Sequence, residues 1–157
     1  KRVLIVHPFS EIIESQYKNK EKIFPNGLLP EFTLYTIKAV QSLGGTDKFK
    51  DWFEALQFMK DQIDTFDYDI CIIGCGAYGF PLAAHVKRKG KKAFHIGGAL
   101  QLLFGIRGNR WENPNYGVKE WNIPTGAYLN LMNDSWIRPG DAFKSKNSAN
   151  VEGNCYW

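Results

Sequence analysis

Apolar residues in the first hundred positions alternate between short runs and stretches with helical spacing. Residues 3–6, 68–73 and 92–96 are runs typical of strands buried in a parallel sheet, and residues 32–40 alternate as a further strand does. The stretches between and after them predict helices over residues 11–23, 49–63, 81–89 and 99–104. This order predicts an α/β fold: a Rossmann-like, mostly parallel sheet of about four strands with helices on both faces.

Residues with known preferences for helix ends mark where these helices start and stop. Ser10 is the predicted cap of the first helix, and Thr46 or Asp47 is the predicted cap of the second. Pro81 fits the first position of the third helix, and Gly90 fits the stop that follows it.

The regular alternation ends after residue 105. The remaining residues include three prolines and four of the five tryptophans, so we expect an irregular, aromatic-rich extension packed on the core, with one short helix over residues 127–132. Residues 1–105 would be the Rossmann-like core and residues 106–157 the extension, together forming one domain. Because the chain opens inside a predicted strand, we expect it to be the C-terminal part of a longer polypeptide.

The composition argues against several classes of protein. Three cysteines without a C-x-x-C pair predict free thiols in a reducing, cytoplasmic setting. The formal net charge of +4 does not demand nucleic acid, and no apolar run approaches the ~18 residues of a transmembrane helix. The basic run 87–92 is expected to be a solvated helix end, with peripheral association with an anionic membrane as the alternative.

No metal site is predicted within this chain. Asp67 and Asp69 form a D-x-D pair of the kind that holds a metal and a diphosphate in many glycosyltransferases. They precede their strand, however, which places them at the edge of the sheet opposite to the expected ligand site. No other cluster has the spacing of metal ligands.

The glycine-rich segment 74–79, Gly-Cys-Gly-Ala-Tyr-Gly, is the clearest sign of chemistry. It lies between a predicted strand and a predicted helix, where free backbone N–H groups bind anions such as a diphosphate. Close packing of the helix on the strand is the alternative interpretation of the same glycines. The carboxyl ends of the other strands would meet this turn at one rim, and they carry His7, His95 and the glycine pair 97–98.

From this placement we predict two catalytic histidines and a set of nucleotide-binding residues. His7 and His95 would act as general bases or as hydrogen-bond donors to a phosphate, since imidazole titrates near neutral pH. Arg107 and Arg110 would neutralise a phosphate, and Trp111 would meet a sugar or a base. The predicted binding set is Ser10, Gly74, Gly76, Ala77, Tyr78, Gly79, Gly97, Gly98, Arg107, Arg110 and Trp111.

The residues after the fourth predicted strand argue against NAD. A dinucleotide-binding unit carries an acidic residue about 20 positions after its glycines, where it holds the ribose hydroxyls. Here that position holds residues 95–98, His-Ile-Gly-Gly, which include no acid.

Two segments together resemble a known family. Residues 72–79 and 82–84, followed by residues 95–101, His-Ile-Gly-Gly-Ala-Leu-Gln, resemble the C-terminal half of GT-D-type glycosyltransferases of polysaccharide and surface-glycan gene clusters. The resemblance covers about residues 68–112 well. The final residues 151–157 are also similar to the end of such proteins.

The resemblance implies a glycosyltransferase, or its donor-binding half, that acts on a nucleotide-sugar and a glycan acceptor. The family's acidic pair, which engages a divalent metal and the donor diphosphate, has no counterpart here, so residues outside this chain would hold that metal. An N-terminal half or a second copy is the expected protein partner. The alternatives are a nucleotide-binding module without catalysis, and a Rossmann-type oxidoreductase or methyltransferase.

Overall fold

Four strands form one parallel sheet, as the sequence predicts. The computed structural model describes residues 1–42, 48–144, 147–150 and 152–157. Within these residues the strands are β1 (Arg2–His7), β2 (Thr33–Lys38), β3 (Ile70–Ile73) and β4 (Lys92–His95). Their order across the sheet is β2-β1-β3-β4, and every neighbouring pair is parallel. The α/β, Rossmann-like prediction is confirmed.

Helices connect and cover these strands. The described helices are α1 (Ser10–Tyr17), α2 (Lys20–Ile23), α3 (Trp52–Asp64), α4 (Gly79–Arg88), α5 (Ala99–Leu103), α6 (Asn109–Glu112) and α7 (Val118–Trp121). Short 3₁₀ turns occupy Gly76–Tyr78, Leu129–Leu131, Asp141–Phe143, Ser148–Asn150 and Glu152–Asn154. Among the described residues, no helix is both long and apolar enough to cross a membrane.

The two faces of the sheet bury separate apolar clusters. One cluster joins the sheet to α3 and α4 through residues such as Leu56, Met59 and Leu82. The other joins it to α1, α5 and the C-terminal residue, through residues that include Ile13 and Trp157. Helices therefore cover both faces, which is the reason that β1 is almost wholly apolar.

The carboxyl ends of the four parallel strands share one edge of the sheet. The chain leaves β1 toward β2 on one side, and leaves β3 toward β4 on the other. The direction of winding thus reverses between β1 and β3, and ligands of open α/β sheets bind beyond the strand ends near such a reversal.

Several helix ends differ from the prediction because contacts distant in sequence decide them. The predicted helix 11–23 is interrupted before Asn19, and the second piece brings Ile23 against Gly105. Ser10 is the first residue of α1 and does not cap it. Pro81 is the third residue of α4, whereas Gly90 adopts a positive φ of 75° just after that helix, as predicted.

The start of α3 is set by Asp51. Its side chain accepts a hydrogen bond from the backbone N–H of Glu54 at 2.9 Å. The proposed caps Thr46 and Asp47 lie outside the described residues. The N-cap is thus of the expected residue type, but it lies four residues after Asp47 and five after Thr46.

The extension is irregular, as expected, and packs on the core. Trp111, Trp136 and Trp157 are buried, whereas Trp121 is 54% exposed. The helix predicted over residues 127–132 is instead the 3₁₀ turn Leu129–Leu131.

Candidate functional site

Two of the three motif glycines are used for packing. A methyl group added at Gly74 would lie 2.6 Å from the carbonyl oxygen of Gly97 and 2.9 Å from the His7 ring. One added at Gly79 would overlap the ring of His95. Gly74 therefore allows the ends of β1 and β3 to approach the segment after β4, and Gly79 allows the start of α4 to approach β4. The contact at Gly79 is the packing of helix on strand that the sequence left open as the alternative.

The middle of the turn is open to solvent. Gly76 has a positive φ of 56° with free space where a side chain would be, and Ala77 is exposed beside it. Tyr78 turns away into the α3 layer, where its ring stacks on Trp52 at 5.0 Å and its hydroxyl hydrogen-bonds with Ser42. Tyr78 therefore braces the turn instead of facing a ligand.

The two cysteines near this turn are not nucleophiles. Burial raises the pKa of Cys71 and the pKa of Cys75 to about 12, so both remain thiols at neutral pH. Cys71 and Cys75 are both free thiols.

His7 is a buried structural residue. It is 3% exposed, and its Nδ1 accepts a hydrogen bond from the backbone N–H of Phe9 at 3.0 Å. Burial lowers the pKa of His7 to about 3, so the ring is neutral at pH 7. It therefore fixes the loop after β1, and its pKa is far from that of a general base working near neutrality.

His95 is the last residue of β4, and its ring packs against Gly79 and Phe80 at the start of α4. Its ring meets the Phe80 ring edge-on at 4.8 Å, and partial burial lowers its pKa. Its Nε2 is buried without a hydrogen-bond partner among the described residues. His95 thus keeps one buried ring nitrogen without a hydrogen-bond partner in the described part of the chain, against the backbone of Gly79.

The second glycine pair is partly covered by the C-terminal residues. Gly97 is open and has a positive φ of 57°, whereas a methyl group at Gly98 would lie 2.7 Å from the Tyr156 ring and 3.3 Å from that of Trp111. The buried Gln101 holds this cover in place by donating to the carbonyl of Tyr156 at 3.0 Å. Space for a side chain is therefore open at Gly97 and filled by aromatic rings at Gly98.

The remaining predicted residues also bind the extension together. Arg107 donates to the carbonyl of Asn133 at 3.0 Å, and the guanidinium of Arg110 lies 4.9 Å from the Tyr156 ring centre and 3.0 Å from the Cys155 sulfur. Trp111 is buried, and so is Ser10. Arg107 and Arg110 therefore bind residues of the extension, and Trp111 and Ser10 are buried within the protein.

A cleft lies elsewhere on the same edge of the sheet, at the carboxyl ends of β1 and β2. It has a volume of about 420 Å³, within the usual range for small-molecule sites. We call it the lysine cleft. Its described lining residues are Pro8, Lys38, Ala39, Val40, Gln41, Lys48, Phe49, Phe58, Gln62, Ala142, Phe143 and Lys144.

Strand ends and α3 form two sides of the lysine cleft. Lys38 is the last residue of β2 and is paired in register with His7, so its ammonium group stands at the carboxyl edge. Phe58 and Gln62 are one helical turn apart on α3 and face the same space. Residues 142–144 of the extension supply the third side.

On each of two sides of the cleft, a lysine ammonium group lies over one or two phenylalanine rings. The Lys48 nitrogen lies 4.9 Å from the Phe58 ring centre and 5.5 Å from that of Phe49, in the α3 layer. The Lys38 nitrogen lies 5.7 Å from the Phe143 ring centre, in the α1 layer. Ammonium groups are thus held over aromatic faces on both sides.

The charge of the cleft is one-sided. Three lysines and two glutamines line it, and no carboxylate is among its described lining residues. The nearby carboxylates of Glu11 and Asp141 pair with Lys38 and Lys144, each at 3.0 Å, from outside the lining. Such a site favours an anion that also has an apolar or aromatic part.

A divalent metal has no fitting donor set in this cleft, since ammonium groups repel cations and hard cations prefer carboxylate oxygens. The D-x-D pair is also engaged: Arg2 forms ion pairs with both Asp67 and Asp69 at the amino edge of the sheet. Among the described residues, no group of three His, Cys, Asp or Glu side chains could hold a metal.

The sequence contained one weak sign of the lysine cleft. Gln41 and Ser42 follow the second predicted strand, which places them at the ligand-binding edge, and Gln41 does line the cleft. Lys38 gave no such sign, because a single lysine near the end of a strand is common. The contribution of residues 142–144 has no local signal, because they reach the cleft across a hundred residues of chain.

No protein-family model, curated protein or solved structure matches this chain. The resemblance to GT-D-type glycosyltransferases therefore stays a prediction from the sequence segments 72–79, 82–84, 95–101 and 151–157.

Proposed function

We propose that this chain binds a phosphorylated ligand of the nucleotide-sugar type in the lysine cleft, as the donor-binding part of a glycosyltransferase. The observation that carries the proposal is the cleft itself: about 420 Å³ at the carboxyl edge of a parallel sheet, lined by three lysines and three phenylalanines. Ammonium groups attract phosphate oxygens, phenylalanine rings stack on a base or a sugar, and glutamine amides can pair with either.

The fold supports this placement of the ligand. Open parallel sheets bind nucleotides beyond the carboxyl ends of their strands, and the cleft lies there, beside the loop that carries Pro8. The exposed Gly76 and Ala77 lie on the same rim, joined to the loop after β2 by the hydrogen bond of Ser42 with Tyr78. A ligand longer than the cleft would extend toward them.

A nucleotide-binding module without catalysis is the second candidate. Its support is that the described lining of the cleft has ammonium, amide and apolar groups, and neither a carboxylate nor an imidazole that could accept a proton. Glycosyl transfer would then need a base, an acceptor glycan and any metal from outside this cleft.

Titration calorimetry and thermal shift with UDP-glucose, UDP, NAD and S-adenosylmethionine test the proposal. A ligand present at 100 times its Kd stabilises the fold by about 2.7 kcal/mol, which raises Tm by about 5 °C or more at this chain length. We expect UDP-glucose and UDP to bind, and Lys38→Met and Lys144→Met each to weaken binding about tenfold. Lys119→Met, an exposed lysine on α7, is the matched control.

Three results would count against this assignment. Binding that is unchanged in both cleft variants would place the ligand elsewhere, and loss of affinity in Gly76→Ala alone would return it to the glycine turn. Preference for NAD or S-adenosylmethionine would favour the oxidoreductase or methyltransferase alternatives. Release of UDP from UDP-glucose, measured on the bound complex, separates an enzyme from a module without catalysis.

A further inference from the structure

One wall of the lysine cleft belongs to the extension and accepts a hydrogen bond from the side chain of Trp157. The indole Nε1–H of Trp157 donates to the backbone carbonyl of Phe143 at 3.0 Å. Phe143 and its neighbour Lys144 both line the cleft. Trp157 itself is 4% exposed and does not line it.

The same indole is tied to a second lining segment through Phe9. The Phe9 ring meets the Trp157 ring edge-on at 5.8 Å and the Phe143 ring edge-on at 6.1 Å. Phe9 follows Pro8, which lines the cleft, and its backbone N–H is fixed by His7. These three rings, Phe9, Phe143 and Trp157, form what we call the aromatic latch.

The latch also reaches the lysines. The Lys38 nitrogen lies 5.7 Å from the centre of the Phe143 ring, and Lys144 is the next residue along the chain. A shift of Phe143 would therefore move one lysine directly and remove the aromatic face under the other.

Trp157 is in turn fixed from behind. Its carbonyl accepts from the N–H of Asn109 at 3.3 Å, and the carbonyl of Cys155 accepts from the N–H of Arg110 at 3.0 Å. Backbone hydrogen bonds to α6 and packing on the sheet thus fix the position of the indole. Its N–H is thereby held against the carbonyl of Phe143.

We propose that Trp157 is a positioning residue of the lysine cleft: through its hydrogen bond to Phe143 it sets the place of Phe143, Lys144 and Lys38. Only the part of this proposal that concerns ligand binding rests on the proposed function. The placement of the wall can be measured without one.

The variant Trp157→Phe removes the N–H donor and keeps an aromatic ring in the core. Trp136→Phe is the matched control, because Trp136 is equally buried but its Nε1 has no hydrogen-bond partner among the described residues. Each variant loses a similar part of a buried indole ring. The difference between the two variants therefore reports the effect of the hydrogen bond from Trp157 to Phe143.

Hydrogen exchange of the full chain is the first measurement. The N–H of Phe143 donates to the carbonyl of Gly140, and that of Lys144 donates to the carbonyl of Asp141, each at 3.0 Å. We expect exchange at these two amides to become at least tenfold faster in Trp157→Phe than in Trp136→Phe. Equal exchange in the two variants would overturn the proposal.

Calorimetry with UDP is the second measurement. We expect Trp157→Phe to weaken UDP binding about tenfold while Trp136→Phe binds as the unchanged chain does. Faster exchange together with unchanged UDP affinity would overturn the role of Trp157 in the site. If the unchanged chain binds no UDP at all, the proposed function fails, and the exchange result alone decides whether Trp157 sets the wall.

Discussion

At the scale of single residues, His7 illustrates how a side chain expected to be catalytic can instead serve the fold. Its position after a buried strand is what a phosphate-binding or basic histidine would have, and the sequence could not distinguish the two roles. Depth of burial decides: with Nδ1 occupied by the Phe9 N–H and the ring 3% exposed, the charged form is strongly disfavoured.

This burial predicts a particular dependence of stability on pH. The pKa of His7 is about 3 in the folded chain and about 6.5 in an unfolded one, so below pH 6.5 only the unfolded chain takes up the proton. The free energy of unfolding should therefore fall as the pH drops from 6.5, by up to about 1.4 kcal/mol per pH unit for this group. Urea denaturation between pH 7 and pH 4.5 measures the slope.

The variant His7→Asn tests the assignment, because the amide oxygen can replace Nδ1 as acceptor without titrating. It should be less stable at pH 7 and have a shallower slope. The free energy of unfolding should still depend on pH to some extent in this variant, since partial burial also lowers the pKa of His95. An unaltered slope in His7→Asn would mean that His7 is not the group that takes up the proton.

At the scale of elements, the turn between β3 and α4 combines packing and exposure within six residues. The three glycines have different surroundings, so alanine should cost different amounts at each. At Gly74 the new methyl group meets backbone, the Gly97 carbonyl oxygen at 2.6 Å, and overpacking of this kind costs about 1–3 kcal/mol. At Gly76 the space is free, but the positive φ costs about 1 kcal/mol.

Gly79→Ala should be the mildest of the three variants. Its φ of −60° is helical, alanine favours a helix by about 1 kcal/mol, and the obstructing group is the side chain of His95, which can rotate outward. Urea denaturation should therefore rank the losses of stability as Gly74→Ala, then Gly76→Ala, then Gly79→Ala. A larger loss at Gly79 than at Gly74 would mean that the His95 ring is held rigidly.

The elements that the sequence predicted well are those determined by their own residues. Each strand is found within a few residues of its predicted span. The central strands β1 and β3 form apolar runs because both faces of the sheet are covered there, whereas the edge strands β2 and β4 mix apolar and polar residues. The interruption of the first helix near Asn19 had no local cause to detect. It places Ile23 against Gly105, and the Asn133 side chain donates to the Ile23 carbonyl at 3.2 Å, contacts that span 80 to 110 residues.

At the scale of the whole molecule, the candidate site was harder to predict than the fold. The edge of the sheet was predictable, since parallel strands fix where their carboxyl ends meet. The lysine cleft was not, because it joins the ends of two strands, the face of α3 and residues 142–144, which are brought together only by the packed extension. Gly74 and Gly79, two of the glycines that looked most functional, are instead used for close packing at the ends of the strands.

The extension should therefore be required for folding as well as for the site. Trp157 and Ile106 belong to the apolar cluster that covers the α1 and α5 face of the sheet, and Trp111 and Trp136 are also buried. Loss of one large buried aromatic side chain costs about 3–5 kcal/mol, and a whole domain is stable by about 5–15 kcal/mol.

A chain cut after Gly105 loses three buried tryptophans at once, so we expect it to lack cooperative unfolding. Its far-ultraviolet circular dichroism should change gradually with urea, and its amide resonances should be poorly dispersed, whereas the full chain should unfold in one transition. The variant Trp121→Ala in the full chain is the control, because this half-exposed tryptophan should be removable at little cost. A sharp urea transition in the 1–105 fragment would show that the core is a domain by itself and that the extension serves only the cleft.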